Sequence, residues 1–173
     1  MVNVTPPPTL TGKRFLSAIQ RQQVAAIFEA IWPGGPDNPG ARDAGAADYL
    51  DLLLGCDDSV YYDIPNWRPM YVAGLAMLNA MALSRPGVAK PLEQLSVAEM
   101  TALLMDLAAG TLGGFPDAAW QRRFFTTLRG HAIEGCLADA RWGGNQKNVV
   151  WNWLGYPNGQ AKDFKPESRT EVP

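Results

Sequence analysis

Apolar residues recur at helical spacing in five stretches of the chain, and turn residues separate those stretches. In the first, Ile19, Val24, Ile27, Phe28 and Ile31 share a face. Ser17 and Gln20 stand ahead of it at capping-box spacing, and Pro33-Gly34-Gly35-Pro36 ends it. A second helix is predicted from about Arg42 to Leu54, with Ala47, Tyr49, Leu50, Leu53 and Leu54 inward and Gly55 as its stop. The third, from about Arg68 to Arg85, carries Met70, Val72, Leu75, Met77, Leu78, Met81 and Leu83. It is apolar nearly all round, which predicts a central, buried helix whose methionines fill gaps rather than hold a cofactor. Ser96 and Glu99 repeat the capping box and open a fourth helix running through Met100, Leu103, Leu104 and Leu107 to Gly110. The fifth, from about Ala118 to Asp139, aligns Trp120, Phe124, Leu128, Ala132 and Cys136 at four-residue spacing.

No stretch alternates as a strand would, so the expected fold is all-α: one compact domain of about five helices over residues 14–159. Residues 1–13 form an arm made extended by Pro6-Pro7-Pro8, and residues 160–173 form a polar tail.

Between Asp139 and Gly159 the pattern changes. This stretch holds three of the six tryptophans and has neither helical period nor alternation. Gly143-Gly144-Asn145 is a turn signal, since Gly and Asn tolerate positive φ. Two roles are open to Trp142, Trp151 and Trp153: they plug the end of the helical core, or they face a partner or ligand. The residues expected to shape this loop or meet a partner are Trp142, Gly143, Gly144, Asn145, Trp151, Trp153, Gly155, Tyr156 and Pro157.

Composition narrows the function. The chain has 173 residues, 47% hydrophobic and only 18% charged, with a formal net charge of −2. A charge-poor surface hints at an obligate partner, and the lack of a basic block argues against nucleic acid. No run reaches the ~18 apolar residues that span a bilayer. Asp43, Asp48 and Asp51 lack calcium-loop spacing and read as a solvated acidic face. His131, the only histidine, reads as a core or interface residue with one hydrogen bond. Cys56 and Cys136 are compatible with a disulfide or with two buried thiols. Dinucleotide, phosphate-loop, serine-hydrolase and zinc-protease motifs are missing, so no catalytic, cofactor-binding or metal residue is assigned. A carbohydrate-binding module, with Trp faces on sugar rings and Asn145, Asn148 and Asn152 on hydroxyls, is the alternative.

Ala140-Arg141-Trp142-Gly143-Gly144-Asn145, followed by Trp151-Asn152-Trp153-Leu154-Gly155-Tyr156-Pro157, resembles the C-terminal signature of the gluconate 2-dehydrogenase subunit 3 family. That signature is a GGN turn, a Trp, then LGYPG; here Asn158 displaces the last Gly by one. Ala30-Ile31-Trp32-Pro33, then Pro39-Gly40-Ala41-Arg42-Asp43-Ala44-Gly45 and Tyr49-Leu50-Asp51, resembles an earlier family segment, as does the helix with Phe124-Phe125 and His131-Ala132-Ile133-Glu134-Gly135. The resemblance covers about residues 15–159. It implies a small, non-flavin subunit of an FAD-dependent sugar, sugar-acid or glycoside dehydrogenase. The implied partner is a flavoprotein of the glucose–methanol–choline type, joined in some complexes by a cytochrome c with its haem. It also implies export to the periplasm under a twin-arginine leader. Met1 to Leu10 has no leader pattern and Arg122-Arg123 falls within a helix, so the expectation is a mature periplasmic chain, with a cytoplasmic relative as the alternative.

Overall fold

The computed structural model describes residues 13–156. Residues 1–12 of the expected arm, Pro157 of the signature and the polar tail lie outside the described residues. The described chain is all-α, with α1 (Ala18–Ile31), α2 (Ala46–Gly55), α3 (Ile64–Ser84), α4 (Val97–Ala109), α5 (Ala118–Leu137) and α6 (Val149–Trp153). Short 3-10 turns lie at Leu92–Gln94, Ala140–Trp142 and Gln146–Asn148. Among the described residues no strand forms; one isolated bridge, Gly35 to Asn38, closes the turn after α1.

Three of the starts follow from side-chain caps. Ser17 and Gln20 close a full capping box on α1, and Ser96 and Glu99 do so on α4. Asp117 accepts the Trp120 amide at 2.6 Å to cap α5. Two starts differ from the sequence reading. α2 begins four residues later than Arg42, because Gly45 sits at φ 65° and keeps residues 41–45 as a turn. α3 begins four residues earlier than Arg68, since Pro65 in its first turn favours a start rather than a loop. Pro69 falls inside the helix and has no N–H to give the Pro65 carbonyl; both prolines are exposed, on the solvent side.

The core sits among α1, α2, α4 and α5, with α5 against α2 and α4, and α1 against all three. The predicted four-residue row is the spine of this core: Phe124, Leu128, Ala132 and Cys136 are fully buried, while Trp120 is half-buried at its end. On α1, Val24, Ile27 and Phe28 are buried as expected, but Ile19 in the first turn stays 47% exposed.

The third helix is not central. Ile64, Tyr71, Gly74, Leu75, Leu78 and Ala82 form one buried face. Val72, Ala73, Ala76, Ala80 and Leu83 face solvent. Three of these five are alanines, which cost little in water, and of the seven residues that suggested a buried helix Val72 and Leu83 are exposed, so letter counting overstated its burial.

The acidic face read on α2 is also corrected. Asp51 is 1% exposed and accepts the backbone N–H groups of Phe15 at 2.9 Å and Leu16 at 2.8 Å, with Arg14 at 3.1 Å. Asp48 receives Arg14, Arg21 and Gln146. Burial alone would raise its carboxyl, but those three donors hold it below the usual carboxylate range. Residues 13–16 are thereby fastened across α2, and the Lys13 carbonyl lies against Gly55, where no Cβ would fit.

Candidate partner-binding surface

The loop after α5 is held by close backbone contacts. A Cβ on Gly144 would stand 2.2 Å from the Gly135 carbonyl oxygen, and one on Gly135 would stand 2.8 Å from Ala46. The loop therefore lies directly on α5, and α5 on α2, at a spot where only hydrogen fits. Gly143, at φ 91°, turns the chain into this contact. Asn145 is fully buried and donates its backbone N–H to the Gly135 oxygen at 2.8 Å. Its side-chain oxygen accepts from the Val150 amide at 2.9 Å, bridging the loop to the start of α6. Its Nδ2 has no hydrogen-bond partner among the described residues. Gln146 adds a second tether, with its backbone on the Ala44 oxygen and its side chain on Asp48.

This anchoring separates the three tryptophans. Trp142 is half-buried against the cluster of Leu53, Cys56 and Ile64. Trp151 donates its indole N–H to the Leu137 carbonyl at 2.9 Å and packs against Tyr156 with ring centroids 5.1 Å apart. Val150, not a tryptophan, fills the core beneath α6. Trp153, Leu154 and Tyr156 point outward, 48%, 54% and 56% exposed. Gly155 turns the chain between the last two at φ 68°. The aromatic stretch is thus divided: Trp142 and Trp151 pack against the domain, and Trp153 is exposed.

Beside this tip lies a groove of about 500 Å³. Tyr49 and Leu53 of α2, Val60 and Tyr61 of the following loop, Glu134 and Leu137 of α5, and Trp142 supply its walls. The Tyr49 hydroxyl donates to Glu134 at 3.2 Å. Burial pushes the Glu134 carboxyl up, partly offset by that hydrogen bond. Sequence reading did not find this groove, since its walls come from four separate segments; Tyr61-Tyr62 in a polar loop was the one available hint.

Aromatic rings run from this side into the core. Tyr61 stacks on Trp67 at 5.1 Å, Trp67 meets the edge of His131 at 4.4 Å, and the Tyr71 hydroxyl shares a 2.8 Å hydrogen bond with His131 Nδ1. His131 is thus a core histidine with one side-chain partner. Its burial lowers its pKa from 6.5 to about 4. An unfolded imidazole takes up its proton near pH 6.5, whereas the folded one resists until about pH 4. The stability His131 contributes is therefore full above pH 6.5 and lost as pH falls toward 4, by roughly 3 kcal/mol. Urea unfolding at pH 7, 5.5 and 4 should show this decline, and His131→Gln should flatten it; equal slopes for the two chains would assign the decline to carboxylates instead.

Neither cysteine is bonded: Cys56 and Cys136 are both buried free thiols, and burial pushes Cys136 up to about 12, which makes it a poor nucleophile. Among the described residues no group of three His, Cys, Asp or Glu side chains is placed to hold a metal ion, and no helix is long and apolar enough to cross a membrane.

No curated protein and no solved structure matches the chain. The sequence profile of gluconate 2-dehydrogenase subunit 3 matches residues 18–159, the whole helical domain with both the segment around Gly40 and the GGN turn. A match of that extent, over α1 to α6 in order, shows that the chain belongs to the gluconate 2-dehydrogenase subunit 3 family.

Proposed function

We propose that this chain is the non-catalytic small subunit of an FAD-dependent dehydrogenase, binding and stabilising a glucose–methanol–choline-type flavoprotein that oxidises sugars, sugar acids or glycosides. Family membership over residues 18–159 carries this reading. FAD belongs to the large subunit, and a cytochrome c with its haem is a further member of such a complex. The site of action of the mature chain is the periplasm.

Support for a partner surface comes from the exposed tip of α6. Trp153, Leu154 and Tyr156 are large, apolar and adjacent, and they are held out by a loop whose backbone is fixed at Gly144 and Asn145. A preordered aromatic tip loses little conformational freedom on docking. A tryptophan anchor at an interface centre contributes roughly 2 kcal/mol or more on truncation. Trp153→Ala should therefore weaken association with the flavoprotein at least tenfold while the thermal midpoint of the free chain stays put. The check is co-expression with a glucose–methanol–choline-type flavoprotein of the same genome, sizing chromatography and a titration of the purified pair. A wild-type chain that elutes alone would refute the small-subunit reading. A wild-type complex that Trp153→Ala leaves intact would move the contact away from α6.

A further inference from the structure

The groove beside α6 carries an electrostatic imbalance. Its lining residues include Glu134 and Asp139 but no lysine or arginine. Asp139 is already paired with Arg141 at 2.8 Å. Glu134 has only the Tyr49 hydroxyl, and among the described residues it forms no ion pair. Glu134 is an exposed residue on the groove wall with no cation beside it, so a cation brought by a partner would gain a charge-assisted hydrogen bond there.

The walls say what kind of cation. Val60, Tyr61 and Leu137 line the groove and are 49%, 44% and 38% exposed, so an aliphatic stem would bury apolar surface against them. Tyr49, Tyr61 and Trp142 put aromatic rings in the same walls, with Tyr61 itself stacked on Tyr62 and Trp67. A planar guanidinium stacks on aromatic rings and hydrogen-bonds a carboxylate at the same time, which an ammonium does less well. The groove is also open along its exposed wall. A free small molecule is held by enclosure of most of its surface, whereas a side chain on a polypeptide needs one side free for its own backbone.

We propose that this groove receives an arginine side chain presented by an apolar-flanked segment of the flavoprotein, with its guanidinium on Glu134 and its stem along Leu137 and Tyr61. The inference rests on the small-subunit reading and adds to it the place and chemistry of one contact. Truncating one partner of a desolvated charge pair acts mainly on the dissociation rate.

The experiment uses the full chain co-expressed with a glucose–methanol–choline-type flavoprotein of the same genome. Glu134→Gln retains an acceptor for the Tyr49 hydroxyl, and Leu137→Asp changes a side chain that is already part-exposed. Each should speed dissociation of the complex at least tenfold, and Glu134→Gln should reduce the dependence of that rate on salt. As a third measurement, p-benzoylphenylalanine in place of Tyr61 should cross-link, on irradiation, to a flavoprotein peptide that contains arginine. A wild-type complex whose Glu134→Gln form dissociates at the wild-type rate overturns the proposal, as does a cross-linked peptide without arginine. Should Glu134→Gln fail to fold, Leu137→Asp and the cross-link decide the question. If the wild-type chain forms no complex at all, the small-subunit reading fails and this contact fails with it; if the complex forms and the groove variants are silent, only the contact is lost.

Discussion

Phe124→Ala should lower the stability of the domain by roughly 3–5 kcal/mol, the range for deleting a fully buried aromatic side chain. The ring is 0% exposed and lies over α3, where a Cβ on Gly74 would stand 2.3 Å from it. It also packs edge-on to Tyr71 at 5.7 Å and against Trp120 at 5.2 Å, and Trp120 against Phe115 at 5.6 Å. Removing it leaves a cavity between α3 and α5 that neither neighbour can close, because Gly74 has no side chain to move in. For a domain of this size the thermal midpoint should fall by roughly 10 °C. Phe124→Leu, which keeps most of the volume, should cost much less. A midpoint unchanged in Phe124→Ala would mean that α3 does not rest on α5 through this ring.

The elements legible in the sequence were those with local causes. Ser17 with Gln20 and Ser96 with Glu99 satisfy their own helix starts within four residues, so their spacing alone located α1 and α4. The Phe124 row is likewise a local periodicity, and it became the buried side of α5. The misplaced starts of α2 and α3 turn on single backbone features, the positive φ of Gly45 and the place of Pro65 in a first turn. The candidate surface was less legible for a different reason. Trp142, Trp151 and Trp153 are near in sequence, but their fates depend on which of them reaches the Ile64 cluster, the Leu137 carbonyl or solvent. Gly135 reads as a poor helix residue until Gly144 and Ala46 are seen to close on it from either side. Glu134, one position before it, is an exposed helix carboxylate, and only the fold shows that it accepts the Tyr49 hydroxyl on the wall of a groove.

Asp51→Ala should be nearly as damaging as Phe124→Ala, at roughly 3–5 kcal/mol, although an aspartate in an acidic stretch of a helix invites the opposite expectation. Its partners lie 35 and 36 residues upstream, at Leu16 and Phe15, so no local pattern marks it. Truncation orphans two backbone N–H groups, that of Leu16 buried, and each unmet donor costs about 1–3 kcal/mol. It also removes one of the two carboxylates that hold Arg14. The loss extends beyond the side chain itself, because Phe15 packs against the core under Arg68, 5.8 Å from its ring. Arg68 in turn donates to the Leu54 and Cys56 carbonyls at the end of α2. Asp51 thus fixes the entry of the chain over α2, and through Phe15 and Arg68 it supports the helix end that supplies one wall of the groove. Asp51→Asn should fall between wild type and alanine, since the amide oxygen can still accept one pair of N–H groups while its nitrogen faces Arg14. Denaturant unfolding measures the stability of each variant, and amide exchange at residues 14–16 reports the local contact. Loss of protection at those amides with little change in global stability would show the crossing segment to be an independent flap; loss of both shows it to be part of the core.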